Sequence, residues 1–314
     1  MLSLKHLSTM SLGAVLLGLV ALGDPQTVSA KSPDVNFRLL YHAAQLANQA
    51  YDGRSTILGK HPGKSAWVAT PGQTHVQYIL IHNDRRKVQA IAIRGTVNDT
   101  NWRLNRDTRG VNDKKAGILM HSGFRTAAQV IYRDVKPRLK PGYTTYLTGH
   151  SLGGAIAGIM GIYLRKDRFR LGGIFTFGQP KFTDAAGARA YRNLPLLRVV
   201  YQNDTVVLLP DAAAQGGQRF AHIGPVINLL SGQYYAFGSR QQALKFSQGS
   251  LGKLFSQISV PDHKMKWYLK NLRKKLGGVK QVSLKDRNKY IKRHRGAAYD
   301  TKTFERKFNF NHHR

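Results

Sequence analysis

A chain of 314 residues is long enough for one full-sized domain with a substantial core. Its 42% hydrophobic and 10% aromatic residues read as globular rather than disordered. The absence of cysteine excludes disulfides, thiolate metal sites, a cysteine nucleophile and a lipid-modified N-terminal cysteine. With 49 Lys+Arg against 16 Asp+Glu the formal charge is +33, a field that attracts polyanions and anionic membranes but carries no information about fold.

In chain order, Lys5 and His6 precede a short apolar run from Met10 to Leu22, and Val28-Ser29-Ala30 supplies small residues at a cleavage position. This is the pattern of a secretory signal cut after Ala30, and the run is short for a membrane anchor, the competing reading. The expected localisation is secreted or periplasmic. Phe37, Leu40, Ala44, Ala47 and Tyr51 recur at helical spacing, with Asp34 or Ser32 as candidate caps. Val76–Ile81 and Val88–Ile93 read as strands joined by a hairpin at Asn83–Arg86. Arg94–Leu119 reads as polar and irregular, and Phe124–Leu139 as a helix. Thr144–Thr148 is a predicted strand running into Gly149, followed by a small-residue apolar helix from Leu152 to Leu164. Gly173–Phe177 and Leu197–Tyr201 are further strands of the buried type. Strands alternating with helices predict an α/β architecture with a mostly parallel central sheet covered on both faces.

The last third changes character. Leu244, Leu251, Leu254, Phe255 and Ile258 form a helical stripe within Gln241–Ile258, weakened by Gly249 and Gly252. From Lys264 to Arg314 there are 17 Lys/Arg against 3 Asp/Glu. Met265, Tyr268, Leu269, Leu272 and Leu276 lie on one face of a basic amphipathic helix that Gly277-Gly278 ends. The expected organisation is a signal over 1–30, a catalytic domain over 31–276 and a basic tail over 277–314.

The chemistry is concentrated at Gly149-His150-Ser151-Leu152-Gly153, a G-x-S-x-G pattern. A nucleophile projected from a tight strand-to-helix turn leaves no room for side chains two positions to either side, which explains the glycines. The helix N-terminus behind it presents free N–H groups toward a reacting carbonyl. A predicted strand before and a predicted helix after give the pattern the context that it needs, against the plainer reading of a glycine-rich turn with a bystander serine. His150 is expected to point away from the nucleophile and support the turn. There is no P-loop, no dinucleotide glycine pattern and no H-E-x-x-H motif, and no cofactor or metal is implied.

The sequence resembles the class 3 lipases, the family of the filamentous-fungal triacylglycerol lipases, over roughly Val35 to Leu269. The matching pieces are Ala92-Ile93-Arg94-Gly95-Thr96, Asn101-Trp102, His121-Ser122-Gly123-Phe124, Gly149-His150-Ser151-Leu152-Gly153-Gly154, Thr176-Phe177-Gly178-Gln179-Pro180, Arg198-Val199-Val200-Tyr201-Gln202-Asn203-Asp204 and Asp262-His263. The resemblance implies an α/β-hydrolase fold with Ser151 as nucleophile, Asp204 as triad acid and His263 as general base, in the chain order usual for that fold. It implies an oxyanion hole from Thr96 and the N–H of Leu152. His222 is the rival base and Asp211 the rival acid. In the fungal enzymes an apolar lid helix follows the oxyanion residue. Here Asn98–Lys115 is charged, so the Gln241–Ile258 stripe is the alternative cover.

The implied activity is hydrolysis of lipid carboxylic esters, of the triacylglycerol lipase or phospholipase A1 type, through an acyl-Ser151 intermediate. The alternatives are a non-catalytic polyanion- or membrane-binding protein on a hydrolase fold, and an acyltransferase using the same triad. The expected partners are a lipid ester substrate and, through the basic C-terminal region, an anionic membrane or other polyanion, with no obligate protein partner.

Overall fold

The computed structural model describes residues 35–61, 66–97, 109–210, 220–247 and 260–292. The signal region, the Asn101-Trp102 pair, Asp211 and the end of the tail therefore lie outside the described residues. Among the described residues no helix is long and apolar enough to cross a membrane.

The strands in chain order are β1 (Ala66–Ala69), β2 (Tyr78–Asn83), β3 (Val88–Ile93), β4 (Gly110–Asp113), β5 (Ile118–His121), β6 (Thr144–His150) and β7 (Leu171–Phe177). They continue with β8 (Thr183–Asp184), β9 (Leu196–Tyr201), β10 (Phe220–Ala221), β11 (Val226–Leu229), β12 (Tyr234–Gly238) and β13 (Lys280–Val282). The helices are α1 (Phe37–Gln49), α2 (Arg54–Gly59), α3 (Ser122–Val135), α4 (Leu152–Lys166), α5 (Ala185–Ala190), α6 (Arg240–Ser247) and α7 (Met265–Lys275).

The main sheet runs β1-β2-β3-β6-β7-β9-β11-β12-β13. Its centre, β3-β6-β7-β9-β11, is parallel throughout, while β1, β2 and β12 add antiparallel neighbours. Because side chains alternate across a strand, consecutive residues feed two cores. Ile91, Ile93, Leu147 and Ile174 pack beneath α3 and α4. Ala90, Ala92, Phe175, Phe177, Val199 and Tyr201 pack against α1 and α7 on the other face. This is the α/β-hydrolase arrangement, a mostly parallel sheet with helices on both faces. Helix α4 is buried along almost its whole length, which explains why its sequence is apolar all round rather than striped.

Three local expectations change. Helix α1 is capped by Asn36, whose side chain accepts from the Leu39 N–H at 2.8 Å, and neither Ser32 nor Asp34 is described. The stretch expected to be irregular, Arg94–Leu119, contains β4 and the first half of β5, which join β8 and β10 in a second, antiparallel sheet. Beyond Leu276 the chain continues into β13, which pairs in parallel with β12, and Leu284 packs with Leu230 and Ala236. Of the Gln241–Ile258 stripe, only its beginning, within α6, is described.

Candidate active site

The parallel register aligns the C-terminal ends of the central strands. Ile93 of β3 lies opposite Gly149 of β6, His150 opposite Phe177 of β7, and Phe177 opposite Val199 of β9. The loops that follow carry Thr96, Ser151, Gly178 and Asp204. Open α/β sheets collect their sites at this edge, because every loop there emerges toward the same crevice.

Ser151 has φ 56° and ψ −129°, a left-handed strained conformation for a residue with a side chain. The turn is that tight because α4 must start at once and pack back on the sheet. A Cβ on Gly149 would overlap the backbone of Gly153 and Gly154, and one on Gly153 would overlap the carbonyl of Ile93. Both glycines of the motif are thus fixed by close backbone approach. The Ser151 N–H donates to the Phe177 carbonyl at 2.9 Å, tying the turn to the end of β7. Leu152 opens α4, where the first N–H groups have no intrahelical acceptor.

Asp204 is buried and every carboxylate contact is a donor. Its Oδ2 accepts from His263 Nδ1 at 2.8 Å and from the Tyr268 hydroxyl at 2.5 Å, and Oδ1 accepts from the Val206 N–H at 3.0 Å. Burial alone would raise the Asp204 carboxyl, but the positive charge and hydrogen bond of His263 and the Tyr268 hydroxyl outweigh it and hold it below the usual range. The bond to Nδ1 orients the imidazole and leaves Nε2 as its second face. Gly178, at φ 59°, closes the pair from below. A Cβ there would stand 2.7 Å from Asp204 Oδ2 and 2.9 Å from the His263 ring. Among the described residues no hydrogen bond joins the Ser151 hydroxyl to His263. Such contacts commonly tighten only with substrate bound.

His150, expected to support the turn, joins it to two other segments of the site. Its Nδ1 accepts from the Tyr51 hydroxyl at 2.7 Å, its Nε2 donates to the His263 carbonyl at 2.7 Å, and its ring lies 4.6 Å from that of His263. Burial, aided by the charge of His263, drops its pKa to about 3, so the ring is neutral with its proton on Nε2. The Tyr51 hydroxyl also meets the backbone N–H of Gly95, next to Thr96. One phenol and one imidazole therefore brace the Thr96 loop, the Ser151 turn and the His263 loop against each other.

His222 is not the residue that meets Asp204. Its Nε2 donates to the Val207 carbonyl at 2.7 Å, and burial with the charges of Arg198 and Lys181 keeps it neutral. Tyr51 and Tyr268 were not legible as site residues, since both sit on helical stripes that read as core. The His121-Ser122-Gly123-Phe124 piece begins α3, where the His121 ring stacks 3.7 Å from that of Phe124.

Residues 90–213 match the family described as Lipase (class 3). A relative, "Secreted mono- and diacylglycerol lipase 1" of Fusarium solani, is 31% identical over 133 residues, which is 40% of this chain and 36% of that protein. The chain thus matches about a third of that relative's length. Among solved structures, a triacylglycerol lipase described as having a serine protease triad at its catalytic centre superposes with a TM-score of 0.58 at 22% identity, over 76% of this chain and 95% of that one. The Lip2 lipase of Yarrowia lipolytica gives 0.57 at 18% identity, over 77% and 96%. At those identities the superpositions establish the fold. The chain is an α/β-hydrolase in fold, and over residues 90–213 its sequence matches the class 3 lipase family.

Proposed function

We propose that the protein is a serine hydrolase of lipid carboxylic esters, with Ser151 as nucleophile, His263 as general base, Asp204 as its orienting acid, and the N–H groups of Thr96 and Leu152 as the oxyanion hole. The observation that carries this reading is the His263–Asp204 bond of 2.8 Å at the strand edge that also bears the strained Ser151 turn. The Ser151 hydroxyl attacks the ester carbonyl as His263 Nε2 takes its proton. The tetrahedral oxyanion is held by the two N–H groups, a stabilisation of about 3–4 kcal/mol per donor where such donors have been removed. His263 returns the proton to the departing alcohol. Water, deprotonated by the same imidazole, then releases the fatty acid from the acyl-Ser151 ester. Asp204 stays ionised throughout and stabilises the imidazolium.

Secretion after removal of residues 1–30 is part of this proposal, supported by the signal pattern of the sequence and by a relative whose name includes "secreted". So is a single catalytic domain after the signal, with its expected end at 276 moved onward to take in β13 and Leu284, and with the basic tail beginning beyond them. Phospholipase A1 activity on anionic lipid is favoured by the outer face of α7, which starts two residues after His263. There Lys266, Lys270, Arg273 and Lys274 are exposed around a half-buried Trp267, and the Lys266 and Lys270 ammonium groups lie 4.9 and 5.6 Å from the Trp267 ring centre.

The test is an assay of wild type and Ser151→Ala on p-nitrophenyl butyrate and palmitate, trioleoylglycerol emulsion and phosphatidylglycerol vesicles. Wild type should release product and the variant should fall to background. Release of sn-1 fatty acid from the vesicles assigns phospholipase A1 action, and release only from the emulsion assigns triacylglycerol. A Ser151→Ala variant as active as wild type would overturn the mechanism.

A further inference from the structure

Beside the Asp204 turn lies a cavity of about 120 Å³ whose lining includes Asn203, Asp204 and Thr205 but neither Ser151 nor His263. A water needs roughly 10–15 Å³ by the same measure, so this space takes several waters or one small polyatomic ion. Its walls include Val207, Val226 and Leu284, and two arginines: Arg198 from β9 and Arg287 from the segment after β13.

Arg198 is the unusual group. It is 4% exposed, yet no hydrogen bond or ion pair engages its guanidinium among the described residues, and its Nε is buried without a partner. Asp204 lines the same cavity, but its carboxylate bonds to His263, Tyr268 and the Val206 N–H, and no ion pair joins it to Arg198 among the described residues. A buried cation without a partner costs several kcal/mol, and buried charges are ordinarily paired. Desolvation accordingly lowers the Arg198 pKa to about 9, which leaves it charged at neutral pH. The Thr205 hydroxyl is a second buried polar group with no partner on the same wall. Asn228 donates through Nδ2 to the carbonyls of Val200 and Gln202, which fixes its amide and leaves Oδ1 as an acceptor. A charged donor, a hydroxyl and one acceptor suit an oxyanion that carries a proton of its own, such as monohydrogen phosphate, or a carboxylate with a bridging water.

We infer that the Arg198–Arg287 cavity is a binding site for a small oxyanion, seated against the turn that carries Asp204 and separate from the reacting centre. The ligand chemistry is a phosphate or carboxylate group, supplied by free phosphate, a phosphorylated headgroup or a short fatty acid. The inference stands independently of the catalytic reading, since its evidence is an uncompensated buried cation and the space beside it. An occupied site would stiffen the Asn203–Thr205 turn.

The probes are inorganic phosphate, acetate and butyrate, titrated by calorimetry into the full chain against KCl of equal ionic strength. A protein of charge +33 binds anions weakly over its whole surface, so the diagnostic is a saturable one-to-one component. Arg198→Met keeps the rest of that surface and should lose this component, its affinity falling at least about tenfold, as expected for loss of a charge-assisted hydrogen bond. Arg287→Gln, at the half-buried rim, should weaken binding by about threefold or more and covers the case in which Arg198→Met does not fold. Saturable phosphate binding assigns a phosphate group, and saturable acetate or butyrate binding without phosphate assigns a carboxylate. Absence of any saturable component in wild type, or an unchanged one in a folded Arg198→Met or in Arg287→Gln, overturns the site.

Discussion

At Asp204 three donors converge on one buried carboxylate, and the third of them, the Tyr268 hydroxyl, has no counterpart in a minimal Ser-His-Asp scheme. Its effect is to favour the ionised carboxylate, which in the mechanism proposed above favours the imidazolium formed when His263 takes the Ser151 proton. A hydrogen bond to a charged group contributes about 1.5–3 kcal/mol. Tyr268→Phe keeps the ring in the α7 core and removes only that bond. Stability should drop by about that amount, and kcat on p-nitrophenyl butyrate by about tenfold, if half or more of the bond is expressed in the transition state. Asp204→Asn, which gives the imidazole the wrong tautomer partner, should cost about 10⁴-fold. A Tyr268→Phe enzyme with wild-type kcat would mean that the hydroxyl serves folding alone. The stability contribution of Asp204 also has a definite pH sense. Its folded pKa is depressed, so that contribution is present above the unfolded carboxylate pKa and is lost as pH falls through the folded one.

The elements that build the site are joined by the Tyr51–His150 brace, which links a residue just after α1 to the ends of β3 and β6 and to the loop before α7. These two are positioning residues, and they should act on kcat rather than KM. Tyr51→Phe should lower kcat several-fold with KM unchanged, and an equal change in both would instead indicate lost substrate contact. His150 also sets an acid limit. Its folded pKa of about 3 lies below the ordinary 6.5, so the unfolded chain binds the extra proton between those values, and stability is lost as pH falls from 6.5 toward 3. His150→Asn should therefore show a shallower loss of denaturation midpoint between pH 6.5 and 4 than wild type, and parallel curves would contradict a neutral buried ring. The sequence disclosed the elements that are strongly periodic or sterically compelled. Strands β3, β7 and β9 are mostly apolar, β6 is rich in β-branched threonine and runs into the glycine motif, and the Gly149 and Gly153 positions admit no side chain. Strands β4 and β10 to β12 stayed hidden because they are two to five residues long, without a clear alternation. The brace stayed hidden for another reason. Tyr51 and Tyr268 satisfy a helical stripe with their rings, and periodicity is blind to where the hydroxyl at the tip ends up.

For the molecule as a whole, the charge of +33 exceeds what local pairing can absorb. The few acids are already committed: Asp167 pairs with Lys115 and Lys136, Asp113 with Arg125, and Asp84 with Lys140. Among the described residues most of the surplus cations face solvent, with Arg198 and Lys275 among the buried exceptions, and Lys266, Lys270, Arg273 and Lys274 of α7 stand beside the loop that carries His263. Near an anionic membrane each Lys or Arg adds about 1 kcal/mol of attraction, within a screening length of about 8 Å at physiological salt and about 3 Å at 1 M. Binding to phosphatidylglycerol vesicles, and hydrolysis at their surface, should therefore fall steeply as KCl rises from about 0.05 to 1 M. Hydrolysis of dissolved p-nitrophenyl butyrate, an uncharged monomer, should change little over the same range. The location of the effect can be tested separately from its existence. Exchanging Lys266, Lys270 and Arg273 for Glu reverses the outer face of α7 while its buried face, Met265, Tyr268 and Leu272, is kept. The same three charge reversals at the exposed Arg85, Arg86 and Lys87 turn, at the opposite end of β2 and β3 from the Thr96 loop, alter net charge equally. If α7 orients the crevice toward lipid, the first set should abolish vesicle hydrolysis at low salt and spare butyrate hydrolysis, and the second should reduce vesicle hydrolysis only modestly. Equal losses from both sets would mean that net charge alone draws the protein to the surface, with no preferred face.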